Sequence, residues 1–121
     1  GAALEVWGTG ASLRDYLYVD DFVTAILALM DYSGPHRIFN LSSGLGHSVL
    51  DIITALGDQL GLLPEITYKA ARGFDVLVNV LDSSRLRTET GWSPRIELEE
   101  GIGRTIEWLR MLHARESASK Q

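Results

Sequence analysis

Apolar and polar positions along this chain follow two rhythms in turn. Leu4-Glu5-Val6-Trp7 alternates residue by residue and stops at Gly8-Thr9-Gly10, the pattern of a short strand running into a turn. Residues 14–19 read as a second strand, after which Asp20-Asp21 offers an N-cap to a helix over residues 22–32. That helix is apolar on nearly every side (Phe22, Val23, Ile26, Leu27, Leu29, Met30), so burial on more than one face is expected. Residues 37–41 are the best strand candidate, closed by a serine- and glycine-rich loop over residues 42–46. Ser48 followed by Asp51 then marks a capping box for a helix that lines up Ile52, Ile53, Leu56, Leu60 and Leu63 and ends at Gly61 and Pro64. Beyond it come a short strand at residues 66–68, an extended segment at 76–80, and a short helix capped by Asp82-Ser83-Ser84 and stopped by Gly91. A last helix over residues 97–114 carries Leu98, Ile102, Ile106 and Leu109 on one stripe and a Glu100–Arg104 pair on its wet side. The expected class is α/β with α+β character, about four helices and several short strands.

Composition narrows this picture. The chain has 121 residues, 45% of them hydrophobic, enough for one domain with a core. Sixteen acidic against eleven basic residues leave a net charge of -5 with no basic stripe, which argues against a nucleic-acid partner. Cysteine is absent, which removes disulfides and thiol chemistry and suits a cytoplasmic location. The first residues carry neither a signal-peptide pattern nor an anchor, and the longest apolar stretch, residues 22–30, falls short of the ~20 residues of a membrane span. Residues 1–113 read as the folded unit and 114–121 as a frayed polar tail.

Self-contained catalytic chemistry is hard to find. Neither glycine turn, Gly8-Thr9-Gly10 or Gly44-Leu45-Gly46, has the third glycine of a dinucleotide-binding loop. His36, His47 and His113 lie far apart without carboxylates at metal-ligand spacing, and Ser42-Ser43-Gly44 lacks a nucleophile-elbow context. Two arginines do stand out: Arg14, followed by Asp15, and Arg72, followed three residues later by Asp75. A guanidinium makes paired, charge-assisted hydrogen bonds to phosphate oxygens, so the two could hold a diphosphate. Each could equally pair with a neighbouring carboxylate at the surface, and spacing alone leaves both open.

The ordered set of segments resembles the extended short-chain dehydrogenase/reductases, in particular NAD-dependent nucleotide-sugar epimerases and dehydratases of the UDP-glucose 4-epimerase type. The matching stretches are Trp7-Gly8-Thr9-Gly10, Arg14-Asp15-Tyr16-Leu17-Tyr18-Val19-Asp20-Asp21, Phe39-Asn40-Leu41-Ser42-Ser43-Gly44, Arg72-Gly73-Phe74-Asp75-Val76 and Gly91-Trp92-Ser93-Pro94. The resemblance implies the C-terminal substrate-binding lobe of an extended Rossmann-type enzyme, without the Rossmann lobe. It implies that Arg14 and Arg72 grip the diphosphate of a UDP- or dTDP-linked sugar, that Asp75 approaches the ribose, and that Trp7 with the backbone of residues 5–7 lines the base pocket. Thr9 and Phe74 depart from the family's usual aspartate and glycine. NAD would act in the full-length enzyme and is not expected on this chain alone, because neither the Gly-x-x-Gly-x-x-Gly turn nor the Tyr-x-x-x-Lys pair is present in these residues, and no catalytic residue is assigned here. The implied partners are the nucleotide sugar, the missing NAD-binding domain and a second copy in a homodimer. The alternative is a stand-alone, non-catalytic nucleotide-sugar-binding or assembly module.

Overall fold

The computed structural model describes residues 3–119. Five short strands and four helices are present among them, in the α/β arrangement expected from the sequence. Strand β1 (Leu4–Trp7) lies parallel to β4 (Ile66–Lys69), with Leu4 opposite Ile66 and Trp7 opposite Lys69. A second small sheet has β2 (Leu13–Asp15) at its centre, flanked by β3 (Gly46–Ser48) antiparallel and β5 (Val78–Asn79) parallel. No helix among the described residues is long and apolar enough to cross a membrane.

Helix α1 (Val19–Met30) starts three residues earlier than residues 20–21 would set it as caps. Tyr18 is the N-cap and makes no side-chain cap bond, its hydroxyl lying at the far end of the ring, and Asp21 serves another segment. The buried Asp21 carboxylate accepts the backbone N–H groups of Arg95 at 3.0 Å and Ile96 at 2.9 Å, pinning the chain after Trp92 against the helix. Trp92 Nε1 donates to Thr24 Oγ1 at 3.0 Å beside it. The core is correspondingly local: Ala25, Leu86 and Trp92 are buried, with Leu17, Ala28, Leu29, Phe39 and Leu41 packed around them. Only this face of α1 is covered. Contrary to the expectation of burial on more than one side, Phe22, Val23, Ile26, Leu27 and Met30 are 40 to 75% exposed.

The strand expected over residues 37–41 does not form. A β-strand is stabilised by a neighbour, and no described segment pairs with this one. Side chains meet its polar groups instead: Arg85 Nη1 donates to Ile38 O at 3.1 Å, while Asn40 Nδ2 donates to Asp82 O. The strand expected over residues 14–19 is likewise cut to its first half, since β3 runs out of partners at Gly46, opposite Asp15.

Helix α2 (Val49–Leu60) keeps its capping box: Ser48 Oγ accepts from Asp51 N at 3.1 Å and Asp51 Oδ2 from Ser48 N at 2.7 Å. Gly61, at φ +64°, ends it with paired closing bonds from Leu62 N to Gly57 O and Gly61 N to Asp58 O. Helix α3 (Ser84–Thr90) is closed by Gly91, and Asp82 Oδ1 accepts Ser84 N at its start. Helix α4 (Leu98–Ser119) runs past the end expected near residue 114, because Ala114, Arg115, Glu116 and Ala118 favour helix. The last two residues of the expected tail, 120–121, fall outside the described residues. Gly101 and Gly103 let α4 approach Tyr18 and Gln59 more closely than a side chain would permit, and Gln59 Nε2 donates to Glu99 O. The stripe of Leu98, Ile102, Ile106 and Leu109 lines a groove of about 190 Å³ with Leu56 of α2. On the wet side Arg104 bonds Glu100 at 2.6 Å, as the sequence implied, and reaches Asp20 of α1 at 3.2 Å.

Candidate functional site

Because β1 and β4 are parallel, the chains leaving them emerge side by side. Gly8 N donates to Lys69 O at 3.0 Å, and Gly8 takes φ +71°, where a Cβ would sit 3.4 Å from that of Ala71. This close approach lays Arg72 on Trp7, with the guanidinium carbon 4.1 Å from the ring centroid, a cation–π contact. Trp7 remains 47% exposed. Glu5 and Lys69 form an ion pair at 3.2 Å along the same strand pair.

From Arg72 the chain turns, Asp75 N donating to Arg72 O at 3.1 Å, and then passes along β2. Leu13 N donates to Leu77 O, and the Arg14 side chain reaches the same stretch, Nη1 donating to Leu13 O and Val76 O at 2.8 Å each. Residues 72–79 therefore form one strap that runs from the face of Trp7 to Arg14 and carries Asp75 between them. All four candidate residues border it.

Neither Arg14 nor Arg72 forms an ion pair with a carboxylate among the described residues. The surface-pairing alternative is not what the fold builds. Asp15 is turned to other partners: Oδ1 accepts from Ser43 N and Ser43 Oγ, and Oδ2 from Gly44 N and Leu81 N. Two guanidiniums near one exposed strap, one stacked on an indole and neither neutralised by a carboxylate, suit an anion joined to a flat ring.

The turn at Thr9 is closed locally, its hydroxyl accepting Ala11 N at 3.4 Å, and Phe74 is 80% exposed on the strap. The histidines are not brought together, and no metal-holding cluster exists among the described residues. His36 instead sits 3.5 Å from Glu89, whose carboxylate also takes the Tyr32 hydroxyl at 2.7 Å. Burial, aided by that bond, raises the Tyr32 hydroxyl above its ordinary value. What the sequence reading missed is the polar seam of Asp15, Ser42, Ser43 and Ser83 beside the strap. Its members lie too far apart in sequence for spacing to connect them.

Residues 1–42 match the model of the NAD dependent epimerase/dehydratase family. The chain is 33% identical over 110 residues to UDP-glucose 4-epimerase of Mycolicibacterium smegmatis, an alignment covering 91% of this chain and 35% of that protein. It is 32% identical to a probable GDP-L-fucose synthase of Oryza sativa subsp. japonica, covering 88% of this chain and 32% of the other. Among solved structures, UDP-glucose 4-epimerase from Thermotoga maritima, determined with UDP-glucose, superposes with a TM-score of 0.84 at 35% identity over 91% of this chain and 35% of that one. The chain thus spans about a third of the length of the relatives it matches.

Proposed function

Since the chain is homologous over nine tenths of its length to NAD-dependent sugar epimerases and related enzymes, we propose that it binds and orients a nucleotide diphosphate sugar. In this reading Arg14 and Arg72 hold the diphosphate, Asp75 approaches the ribose, and Trp7 lines the base pocket with the backbone of residues 5–7. The observation that carries it is the strap of residues 72–79, which gathers both guanidiniums and the indole, neither guanidinium being ion-paired among the described residues. Held by two planar cations, the diphosphate fixes the position of the attached sugar, which is the entropic part of catalysis.

In this reading NAD is not held by these residues alone. The glycine-rich loop and the Tyr-x-x-x-Lys pair are not in the sequence, and the two glycine turns serve β1 and the loop before β3. Hydride exchange through NAD is assigned to an NAD-binding domain partnering this chain, and this chain supplies no group to that step. The same proposal places the protein in the cytoplasm, in keeping with its lack of cysteine, and has isolated chains associating as dimers.

Calorimetry tests the reading. UDP, UDP-glucose, a dTDP-sugar and a GDP-sugar are titrated into the chain, and the diphosphate-bearing ligands are expected to bind while uridine does not. No heat with any of the four overturns it. A preference among them identifies the base, for which the relatives include both UDP- and GDP-named enzymes.

A further inference from the structure

Asp15 takes no part in the reading above, yet it is the most heavily hydrogen-bonded side chain near the strap. Its Oδ1 accepts from Ser43 N at 2.8 Å and Ser43 Oγ at 2.6 Å; its Oδ2 accepts from Gly44 N at 3.0 Å and Leu81 N at 3.3 Å. The donors come from segments 28 and 66 residues further along the chain. Those two segments are stitched to each other beside it: Ser42 Oγ donates to Leu81 O, Ser83 Oγ to Ser42 O, and Arg87 Nη2 to Ser43 O. Ser42 and Ser83 are both 2% exposed, so the bonds these two hydroxyls donate lie largely out of water, while the Arg87 bond is exposed.

The strap depends on this tie. β5 spans two residues, and two paired positions are a weak ladder. Leu81, two residues past β5, is fastened to Asp15, while Leu77 and Val76, the two residues before β5, are fastened to Leu13 and Arg14. Successive side chains on a strand point to opposite faces. Anchoring Asp15 on the Ser43 side therefore presents Arg14 on the other, where its Nη1 meets Val76 O.

We propose that Asp15 is a positioning residue that sets Arg14 and the strap carrying Arg72 and Asp75 for anion binding, without itself touching the ligand. The proposal rests on the reading of Arg14 as a phosphate-binding residue. A carboxylate is required because every partner is a donor; an amide in its place would turn an N–H group toward another N–H.

The test is a double-mutant cycle on UDP affinity, with Asp15→Asn and Arg14→Ala made singly and together in the chain and thermal melts run in parallel. Asp15→Asn is expected to weaken UDP binding roughly tenfold in the native background and less than about twofold once Arg14 is alanine, since an effect routed through Arg14 vanishes with it. Equal losses in both backgrounds, or no loss in the native one, overturn the proposal. If Arg14→Ala leaves UDP affinity intact, the reading of Arg14 fails and this proposal falls with it; if only Asp15→Asn is silent, the proposal alone fails. Should Asp15→Asn not fold, Ser43→Ala removes one of the four donors and keeps the backbone. It is expected to cost UDP affinity about threefold, again only while Arg14 is present.

Discussion

At the residue scale the structure separates two kinds of arginine. Arg104 is satisfied by Glu100 and Asp20, and its guanidinium is held above its ordinary value chiefly by the Glu100 hydrogen bond. Arg14 and Arg72 have carbonyl and indole contacts and no carboxylate among the described residues. Under the proposed function, Arg14→Ala or Arg72→Ala should each weaken nucleotide-sugar binding by about 1.5 to 3 kcal/mol, the worth of a hydrogen bond to a charged group. Calorimetry with UDP at two salt concentrations checks this, and the loss should be smaller at high salt, where the guanidinium–phosphate attraction is already screened. Unchanged affinity in both variants would remove these residues from the site. The resemblance singles out Arg14 and Arg72 together, and what it does not give is how each is placed: Arg72 comes onto Trp7 through the parallel pairing of β1 with β4, while Arg14 on β2 meets Val76. For Asp15 the sequence left surface pairing with Arg14 open, because nothing local points from it to Leu81.

At the element scale, what could be read depended on whether an element carries its own reason to form. Helix α2 does. Ser48 and Asp51 cap it and Gly61 closes it, as these residues foretell, while Leu63, expected on its apolar face, falls past its end and is fully exposed. Ser48→Ala should therefore cost about 1 kcal/mol of stability, measured by urea unfolding. Asp51 adds a pH dependence. Its carboxyl is held below the ordinary value of 3.8, first because it accepts the Ser48 backbone N–H. The folded state thus binds this proton less readily than the unfolded one, so the contribution is complete above 3.8 and disappears as the pH falls through the lowered value. Asp82, lowered by the Ser84 N–H, acts in the same direction at α3. Melting temperatures followed into acid should drop less steeply for Asp51→Asn, which keeps an acceptor and loses the titration. A parallel drop would mean the box carries no linkage. Strands were less legible because they need partners. Residues 37–41 have the composition of a strand and no neighbour, whereas Gly46, His47 and Ser48 have little of it and become β3 because β2 lies alongside.

At the scale of the whole molecule, the surface is too large for the mass. A compact protein of 13.3 kDa exposes about 6,500 Å², and this chain exposes 8856 Å². Part of the difference is α4, exposed from Glu107 to Ser119 with Trp108, Leu109, Met111 and Leu112 in its length. Another part is the outer face of α1, where Val19, Phe22, Val23, Ile26, Leu27 and Met30 meet water. The apolar pattern of α1 was visible in the sequence, and its exposure follows from how few described residues are available to cover it. Apolar surface on this scale favours association, and a standard interface takes only about 800 Å² from each partner. The isolated chain is therefore expected to form dimers, with a mass that climbs above 13.3 kDa as concentration rises in light scattering. The combined variant Phe22→Asp and Leu27→Lys makes the expectation specific to α1. These side chains are half exposed and lie outside the buried core, so replacing them should shift folding stability by only about 0.5 kcal/mol each while lowering the association constant and the binding of a hydrophobic dye. If the native chain stays at 13.3 kDa across a hundredfold concentration range and binds no dye, the α1 face is not an association surface. A variant that unfolds while the native chain is monomeric would show that α1 is covered on both sides in solution.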